Sequence, residues 1–159
     1  MFRAMRRNKQ QMSETAAVAI LQDATSGVLS LMGEDGYPYG VPMSYAYADG
    51  KLYFHSAVTG HKVDAIKQYE KASFTVVVQD DVVPENYTTL YRSVIAFGRI
   101  RIADTEAERV QAVKLLAEKY HPGGAEASWR NEMTNHPQFE VIVMDVEHLT
   151  GKASRELVE

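Results

Sequence analysis

The segment LYFHSAVTGHKVDAIKQY, residues 52–69, carries the clearest chemical signal in the chain. A β-type run ends at His55 and Ser56, and a helical pattern follows with His61 and Lys62 in its first turn. The start of a helix carries a partial positive charge, so cations are disfavoured there. A bound phosphate would explain them, because the helix N–H groups, the helix dipole and Lys62 would all face it. An ordinary strand–loop–helix connection with an exposed histidine and lysine is the alternative, and the residues alone leave both open.

The segment YGVPMSYAY, residues 39–47, is a second candidate binding surface. Pro42 cannot donate a hydrogen bond to a neighbouring strand, so it belongs at a sheet edge or at a local break. Alternation along a strand divides the side chains between two faces. One face holds Val41, Met43, Tyr45 and Tyr47, and the other holds Pro42, Ser44 and Ala46. The first face could hold a planar ring whose polar edge bonds to free backbone groups, or it could belong to the core.

Several kinds of chemistry are excluded by residues that the sequence lacks. The chain has no cysteine, which rules out disulfides, cysteine-ligated metals and a thiol nucleophile. Its 5 histidines show no metal-ligand spacing, so no metal site is expected. The serines lack the Gly-x-Ser-x-Gly elbow, and the Walker and Rossmann glycine patterns are absent. The candidate anion site is what remains.

The composition is that of an ordinary soluble globular protein, with 45% hydrophobic and 24% charged residues. The length predicts a single domain over residues 1–159. The net charge of −4 argues against nucleic acid as a partner. No apolar run approaches the ~20 residues of a membrane span, so no membrane association is expected. The absence of cysteine fits a cytoplasmic location.

Residues 1–12 form a basic N-terminal arm. The segment MFRAMRRNKQQ has no apolar region behind its basic residues, so it does not read as a secretory signal. Four of the 17 basic residues of the chain lie in its first nine positions, namely Arg3, Arg6, Arg7 and Lys9. The arm is therefore either a docking segment or a solvated terminus.

Six strands and three helices are predicted to position the candidate residues. The helices begin at Ser13, Gly60 and Thr105, and Thr105 forms a capping box with Glu108. The strands cover residues 27–32, two runs that flank Asp49-Gly50, and residues 72–79, 93–103 and 139–149. Asp-Gly between two β runs indicates a tight hairpin. Hairpins in place of β-α-β alternation predict a mainly β fold, an antiparallel β-barrel with flanking helices.

Each predicted helix has an apolar face that should pack on the barrel. These faces comprise Ala17, Ile20, Leu21 and Ala24, then Val63, Ile66 and Tyr69, and finally Val110, Val113, Leu116, Ala117 and Tyr120. Gly98 lies in the middle of a predicted strand. It indicates either a bend in the barrel or a close approach of another group to the backbone.

The order of five short motifs resembles that of the pyridoxamine-5′-phosphate-oxidase-like flavoproteins, and within them the 5-nitroimidazole-resistance (Nim-type) branch. The motifs are Gly-Val-Pro, Tyr-Phe-His-Ser, Gly-His-Lys, Ser-Val-Ile-x-x-Gly and Thr-Gly-Lys. Each is weak alone, but together they extend the resemblance from about Arg6 to Lys152. The resemblance implies a six-stranded, Greek-key split β-barrel that forms a homodimer with FMN at the subunit interface.

The resemblance also assigns residues to FMN by position. The isoalloxazine ring would be lined by Val41, Pro42, Met43, Ser44 and Tyr45, with their backbone reaching its polar edge. The phosphate would be held by His55, Ser56 and Lys62, with His61 as a further candidate. The approach from the partner subunit would involve Tyr91, Arg92 and Ser93. Lys152 belongs to a recurrent terminal motif of the branch.

The implied activity is that of an FMN-dependent oxidoreductase, which reduces small electron-poor compounds such as nitroimidazoles. NAD(P)H is the candidate electron donor, and His55 and Tyr91 are the candidate catalytic proton donors. Pyridoxamine phosphate oxidases carry a longer C-terminal segment with a tryptophan and an Arg-x-His-like stretch. This chain ends in LTGKASRELVE, so oxidation of the phosphorylated vitamin is not expected. Trp129 either borders the substrate side of the flavin or packs between a helix and the barrel.

Two other readings stay open at this point. One is a non-catalytic flavin- or haem-binding protein that acts as a sensor or scavenger, with His121 and His136 as candidate haem ligands. The other is a structural dimer that has lost its cofactor.

Overall fold

The computed structural model describes residues 1–158, which contain seven β-strands and four α-helices. The strands are β1 (Ser26–Met32), β2 (Pro38–Ser44), β3 (Ala46–Ala48), β4 (Lys51–Ser56), β5 (Lys71–Val83), β6 (Thr88–Ile102) and β7 (Glu140–Ala153). The helices are α1 (Glu14–Asp23), α2 (His61–Gln68), α3 (Glu106–Tyr120) and α4 (Glu126–Asn135). No helix within this range is both long and apolar enough to span a membrane.

All the strands form one antiparallel sheet in the order β2-β1-β5-β6-β7-β4-β3. This confirms the predicted mainly β, antiparallel architecture with flanking helices. The sheet has one strand more than the six predicted, because the chain leaves the ladder at Tyr45 and separates β2 from β3. There the backbone N–H of Tyr45 donates to the hydroxyl of Tyr120 at 2.9 Å instead of to a neighbouring strand.

Three aromatic rings fill the centre of the sheet's inner face. Phe54 and Phe74 are fully buried and meet edge to face with ring centroids 5.2 Å apart. Tyr45 is also fully buried and contacts Phe74 at a centroid distance of 4.7 Å. Full burial of a side chain of this size contributes about 1.5–3 kcal/mol, so this cluster is a major source of stability.

Gly98 marks a bulge, which decides between the two interpretations of this residue. The pairing of β6 with β7 shifts between Phe97 and Gly98, and the backbone of Asp145 approaches closely there. A Cβ atom on Gly98 would clash with the carbonyl oxygen of Asp145. The close approach is therefore made by the neighbouring strand itself, at a bend in the sheet.

The predicted hairpin at Asp49-Gly50 is confirmed. The two residues have φ angles of 49° and 75°, the left-handed conformation that the tightest hairpin turns require. They join β3 to β4 and place Ala48 opposite Lys51. Because β4 also pairs with β7, this turn fixes the register of β3 against the rest of the sheet.

Helix α1 forms as predicted. The Ser13 hydroxyl accepts a hydrogen bond from the N–H of Ala16 at 3.2 Å and caps the helix. The predicted apolar face is confirmed and comprises the buried Ala17 and Leu21 and the half-buried Ile20 and Ala24.

Helix α2 buries Val63 and Ile66 as predicted, but Tyr69 is 45% exposed. Tyr69 follows the last helical residue and has an extended backbone, with φ −147° and ψ 118°. The helical spacing from which its burial was predicted no longer applies there, so that part of the prediction is wrong.

Helix α3 begins at Thr105 as predicted, with the Thr105 hydroxyl accepting from the N–H of Glu108 at 3.2 Å. Only this half of the predicted capping box forms, because the Glu108 carboxylate accepts instead from Arg101. The residues that pack on the sheet are Ala112, which is fully buried, and Leu115. Of the predicted face, Val110, Val113, Leu116 and Ala117 are half-buried, and the last three line a groove toward α4. Tyr120 is 42% exposed, so its predicted burial is wrong. The prediction missed α4, which shares the apolar surface of α3 with the sheet.

The N-terminal arm is held against its own sheet at both ends. The Phe2 ring stacks on the His148 ring with centroids 4.6 Å apart and an interplanar angle of 6°. At the other end, Gln11 pairs with Lys152, and the N–H of Met12 donates to the Gly151 carbonyl at 2.9 Å. The arm therefore has fixed contacts with β7.

Candidate functional site

The start of α2 offers backbone donors that no side chain takes up. The N-cap is Gly60, with φ 128° and ψ 170°, and it provides no side-chain cap. A backbone with this φ is rarely adopted by other residues, so glycine is needed here. The N–H of Asp64 donates to the Gly60 carbonyl at 3.0 Å, and the N–H groups before it point out of the helix. Such a helix start is suited to a phosphate.

Lys62 lies beside these donors and faces β2. Its Nζ atom is 3.5 Å from the sulfur of Met43. Burial lowers the pKa of the Lys62 ammonium, and no carboxylate within residues 1–158 forms a salt bridge with it. A half-buried cation without a counter-ion is destabilised by desolvation, and an anion would relieve this. The structure thus brings together two of the segments assigned to FMN.

His61 is held by a residue that the sequence analysis did not single out for the site. Its ring stacks on Tyr39 with centroids 4.0 Å apart and planes inclined by 12°. The turn before β2 comes close as well, since a Cβ atom on Gly33 would lie 3.4 Å from Nε2 of His61. The alternation of Tyr39 with Val41 and Met43 was the signal that could have placed Tyr39 beside the α2 start.

The β2 segment divides into a buried face and an exposed face. Met43 and Tyr45 are 8% and 0% exposed, and Val41 packs against the same core. Pro42 and Ser44 are exposed, and Pro42 lies on an edge strand of the sheet as expected. The inward side chains therefore belong to the core. What this segment presents to a ligand is its edge backbone and its outward residues.

Tyr45 is locked in place by two hydrogen bonds. Its hydroxyl donates to the Leu21 carbonyl at 2.7 Å, and its N–H donates to the Tyr120 hydroxyl at 2.9 Å. Burial and the neighbouring Tyr120 raise the pKa of the Tyr45 hydroxyl, so this group stays protonated and structural. The Nζ of Lys119 lies 4.0 Å from the Tyr45 ring centroid. The C-terminal end of α3 thereby fixes the end of β2.

His55 and Ser56 point to opposite sides of β4. Ser56 is 7% exposed and has the same parity along the strand as the core residue Phe54. His55 is exposed and lines a groove of about 440 Å³ between the sheet, α3 and α4. Neighbouring residues of a strand face opposite ways, so the structure separates the His55 imidazole from the side that holds Ser56.

The remaining assigned residues form a second group on the adjacent strands β6 and β7. Ser93 is paired with Lys152 across β6 and β7, and the Nζ of Lys152 lies 5.4 Å from the Tyr91 ring centroid. Arg92 donates to Oε1 of Gln79 at 3.2 Å and to the Leu157 carbonyl at 3.4 Å. Within residues 1–158, no hydrogen bond or ion pair links this group to Lys62 or His61.

Trp129 lies on α4, an element absent from the prediction. It is half-buried and lines the groove that contains His55, together with His136 and Phe139. The Arg130 guanidinium stacks on the indole at 4.7 Å. Trp129 thus lies between α3, α4 and the sheet, as the second sequence interpretation expected, but at an open groove. His121 lies outside this groove.

Both the sequence and the fold of this chain are similar to those of known proteins. The sequence profile of the family described as pyridoxamine 5′-phosphate oxidase matches residues 13–153. The chain belongs to this family. The family is a flavin-binding one with a split-barrel fold, as the resemblance implied. No curated protein sequence matches the chain.

Solved structures share the fold at low sequence identity. A conserved hypothetical protein from Mycobacterium tuberculosis has a TM-score of 0.83 at 18% identity, with 97% of this chain and 92% of that chain covered. A candidate 5-nitroimidazole antibiotic resistance protein from Bacteroides thetaiotaomicron has a TM-score of 0.74 at 20% identity, covering 88% and 83%. The FAD and haem binding protein of Mycobacterium smegmatis has a TM-score of 0.73 at 17% identity, covering 91% and 73%. These similarities establish the fold.

Proposed function

We propose that this chain binds FMN and reduces small electron-poor compounds such as nitroimidazoles. The observation that carries the proposal is the half-buried Lys62 ammonium, which lacks a carboxylate partner within residues 1–158 and lies beside the uncapped start of α2. A phosphate there would pair with Lys62 and accept hydrogen bonds from the free N–H groups. The flavin-binding family supports a flavin as the ligand, and a single phosphate position favours FMN over FAD.

The residues present fit this cofactor, and each would have a defined task. The α2 start and Lys62 would bind the phosphate, and the edge backbone of β2 beside Pro42 would bond to the polar edge of the ring. The bound flavin would supply the electron transfer, with NAD(P)H as the proposed donor. Tyr91 and His55 are the proposed proton donors. The position of His55 in the α3–α4 groove makes it the weaker of the two.

A homodimer would complete the site. Tyr91, Arg92 and Ser93 make no hydrogen bond to the α2 region of their own chain, as noted for residues 1–158, so they would serve the FMN of the partner. The β5–β6 hairpin supports this arrangement because it exposes large apolar side chains. Val77 and Val78 are 61% and 44% exposed, and a partner subunit would remove them from water.

The first experiment measures flavin binding by native protein and by Lys62→Met. The absorption spectrum of purified protein and the mass of the heat-released chromophore identify the cofactor. Removing one charge-assisted contact costs about 1.5–3 kcal/mol, so Lys62→Met should weaken FMN binding roughly 10- to 100-fold. The matched control is Lys67→Met, which removes an exposed cation at the other end of α2 and should leave the FMN affinity unchanged. Equal FMN affinity of Lys62→Met and native protein would contradict the phosphate site.

The catalytic part of the proposal needs its own assay. Flavin-loaded protein is mixed with NADH or NADPH and a nitroimidazole, and the nitro chromophore is followed. Its loss at a rate above that of free FMN supports a reductase. No turnover with either donor would refute the reductase and leave FMN binding intact.

Haem binding is a second candidate function, because the α3–α4 groove offers two histidines on apolar walls. His55 and His136 line it together with Trp129, Met133 and Leu116. Solved relatives of this fold include an FAD and haem binding protein, which supports the idea. Haem titration should give a Soret band that shifts in His136→Ala. A broad spectrum identical to that of free haem would exclude this function.

A further inference from the structure

A large hollow lies where the N-terminal arm crosses the tip of the β5–β6 hairpin. Its volume is about 1010 Å³, and the turn after β7 closes its third side. We call it the arm hollow. Its lining includes Arg6, Arg7, Lys9, Arg155, Tyr87 and Tyr91. It is distinct from the α2 start, and the proposed flavin site does not use its basic residues.

The arm hollow has a strong excess of positive charge. Four cations line it, against one carboxylate, Glu156. None of the four forms a salt bridge within residues 1–158. This concentration of unpaired cations is unusual in a chain whose net charge is −4. Such a set of like charges repels itself, and an anion carrying several charges would neutralise it.

Two polar side chains in the wall of the arm hollow lack partners. Gln10 and Ser154 are 7% and 3% exposed, and both line the hollow. Oε1 of Gln10 and Oγ of Ser154 have no hydrogen-bond partner in the described chain. Buried polar atoms are nearly always paired. The chain itself therefore leaves two polar groups behind the cations of the hollow without a hydrogen bond.

The fixed ends of the arm make the arm hollow pre-organised. Phe2 stacks on His148, and Met12 bonds to Gly151, so the cations between them are carried on a segment anchored at both sides. The 3₁₀ turn Asn8–Gln10 adds local order. Binding to an ordered segment costs less conformational entropy than binding to a mobile tail.

Tyr87 indicates what the ligand carries besides phosphate. It is 99% exposed at the hairpin tip and has a left-handed backbone, with φ 48° and ψ 41°. A ring held fully in water beside a cationic hollow is a surface on which a flat base can stack. The volume of the hollow is at the upper end of the ~300–1,000 Å³ of small-molecule sites, which is more than a lone phosphate needs.

We propose that the arm hollow binds a nucleotide that carries two or more phosphate groups. The phosphates pair with Arg6, Arg7 and Lys9, and the base stacks on Tyr87. This goes beyond the flavin proposal. The two sites share no cation, and Tyr91 lines the hollow but is also assigned to the FMN of the partner, so the nucleotide contacts are assigned to Arg6, Arg7, Lys9 and Tyr87 alone.

The test is calorimetric titration of the purified 159-residue chain with ADP, adenosine and inorganic pyrophosphate. ADP should bind, and adenosine should not. The Arg6→Ala/Arg7→Ala double variant should bind ADP at least roughly tenfold more weakly, the effect of losing one or more charge-assisted contacts. Tyr87→Ser should weaken ADP binding while leaving pyrophosphate binding unchanged. Arg3→Ala is the matched control, since Arg3 belongs to the arm but does not line the hollow.

Several results would overturn the proposal. The proposal would be refuted if native protein did not bind ADP. It would also be refuted if Arg3→Ala lost as much affinity for ADP as the Arg6→Ala/Arg7→Ala double variant. Pyrophosphate that binds as tightly as ADP, with Tyr87→Ser without effect, would show a simple anion site. A single-stranded oligonucleotide that binds much more tightly than ADP would identify a polyanion surface instead. Thermal melts establish that each variant is folded, and Tyr87→Ser tests the proposal without altering the arm.

Discussion

Replacing Tyr120 with phenylalanine tests how the end of α3 holds the junction between β2 and β3. The Tyr120 hydroxyl accepts from the N–H of Tyr45 at 2.9 Å. It also lies within donating distance of two carbonyls, that of Thr25 at 2.5 Å and that of Tyr45 at 2.9 Å. Tyr120→Phe removes one oxygen and leaves the ring in place. The change therefore isolates these hydrogen bonds from packing.

The expected cost follows from the burial of the groups left behind. Tyr45 is fully buried, so its N–H loses the one partner it has within residues 1–158 and stays without one. An unsatisfied buried donor costs about 1–3 kcal/mol. Tyr120 is 42% exposed, so water can reach the two carbonyls and the lower part of that range applies. Tyr120→Phe should therefore lower the free energy of unfolding by about 1–2 kcal/mol. For a chain of this size, that corresponds to a fall in Tm of about 2–8 °C.

The assay is thermal and urea unfolding at fixed protein and flavin concentration, since ligand and subunit binding shift apparent stability. Tyr87→Phe is the matched control, because Tyr87 is 99% exposed and its hydroxyl makes no hydrogen bond in the described chain. If Tm falls no further for Tyr120→Phe than for Tyr87→Phe, the hydrogen bond between Tyr45 and Tyr120 does not stabilise the fold.

Two further predictions concern stability. The bidentate hydrogen bonds of Arg101, at 2.7 and 2.8 Å, hold the pKa of the Glu108 carboxyl below its ordinary value. The stabilisation is thus present at neutral pH and is lost as the pH falls from about 4.3 through the lower folded-state pKa. Glu108→Gln should lower the free energy of unfolding by about 1 kcal/mol at pH 7. Between pH 7 and pH 3, urea unfolding should show a smaller loss of this free energy for the variant than for native protein. Equal losses in the two proteins would contradict the assignment to Glu108. Gly98→Ala should cost at least about 3 kcal/mol, or abolish soluble protein, because β7 must move away from the added methyl group. Gly40→Ala, whose new Cβ meets only a Val28 methyl at 3.2 Å, is the control, and similar melting of the two variants would refute the bulge argument.

Local signals in the sequence predicted much of the fold. Ser13 and Thr105 cap helices because their hydroxyls bond to N–H groups three residues further on, which any sequence can reveal. Asp49-Gly50 forms its hairpin because both residues tolerate positive φ. These features depend on neighbouring residues alone, and so they could be predicted.

Contacts between distant segments could not be predicted in this way. Tyr120 bonds to Tyr45, 75 residues away, and nothing near either residue signals the contact. Helix α4 was missed because its sequence, EASWRNEMTN, is mostly polar and its N-cap, Ala125, provides no capping side chain. Because α4 was not predicted, the apolar face of α3 was expected to pack on the sheet alone.

The candidate site shows the same division. The cations at the start of α2 could be recognised from their conflict with the helix dipole, but the contact of Lys62 with Met43 depends on the fold. The divergence of His55 and Ser56 was available from strand alternation alone, and the resemblance to the family overrode that signal. The residues of the arm hollow lie far apart in the chain, so charge counting could identify the arm but not the cavity that it helps to build.

The order of the strands has a consequence for how the chain is made. Of the seven strands, β7 is synthesised last, yet it lies between β6 and β4, in the interior of the sheet. Until it is synthesised, β4 and β3 form a hairpin with no neighbour, and an edge of β6 stays open. The β5–β6 hairpin can form early because its pairs are close in sequence, whereas the contact of Lys51 with Asp145 must wait for 94 further residues. The nascent protein therefore has an unpaired edge on β4 and, once β6 has been made, another on β6, and the insertion of β7 closes both.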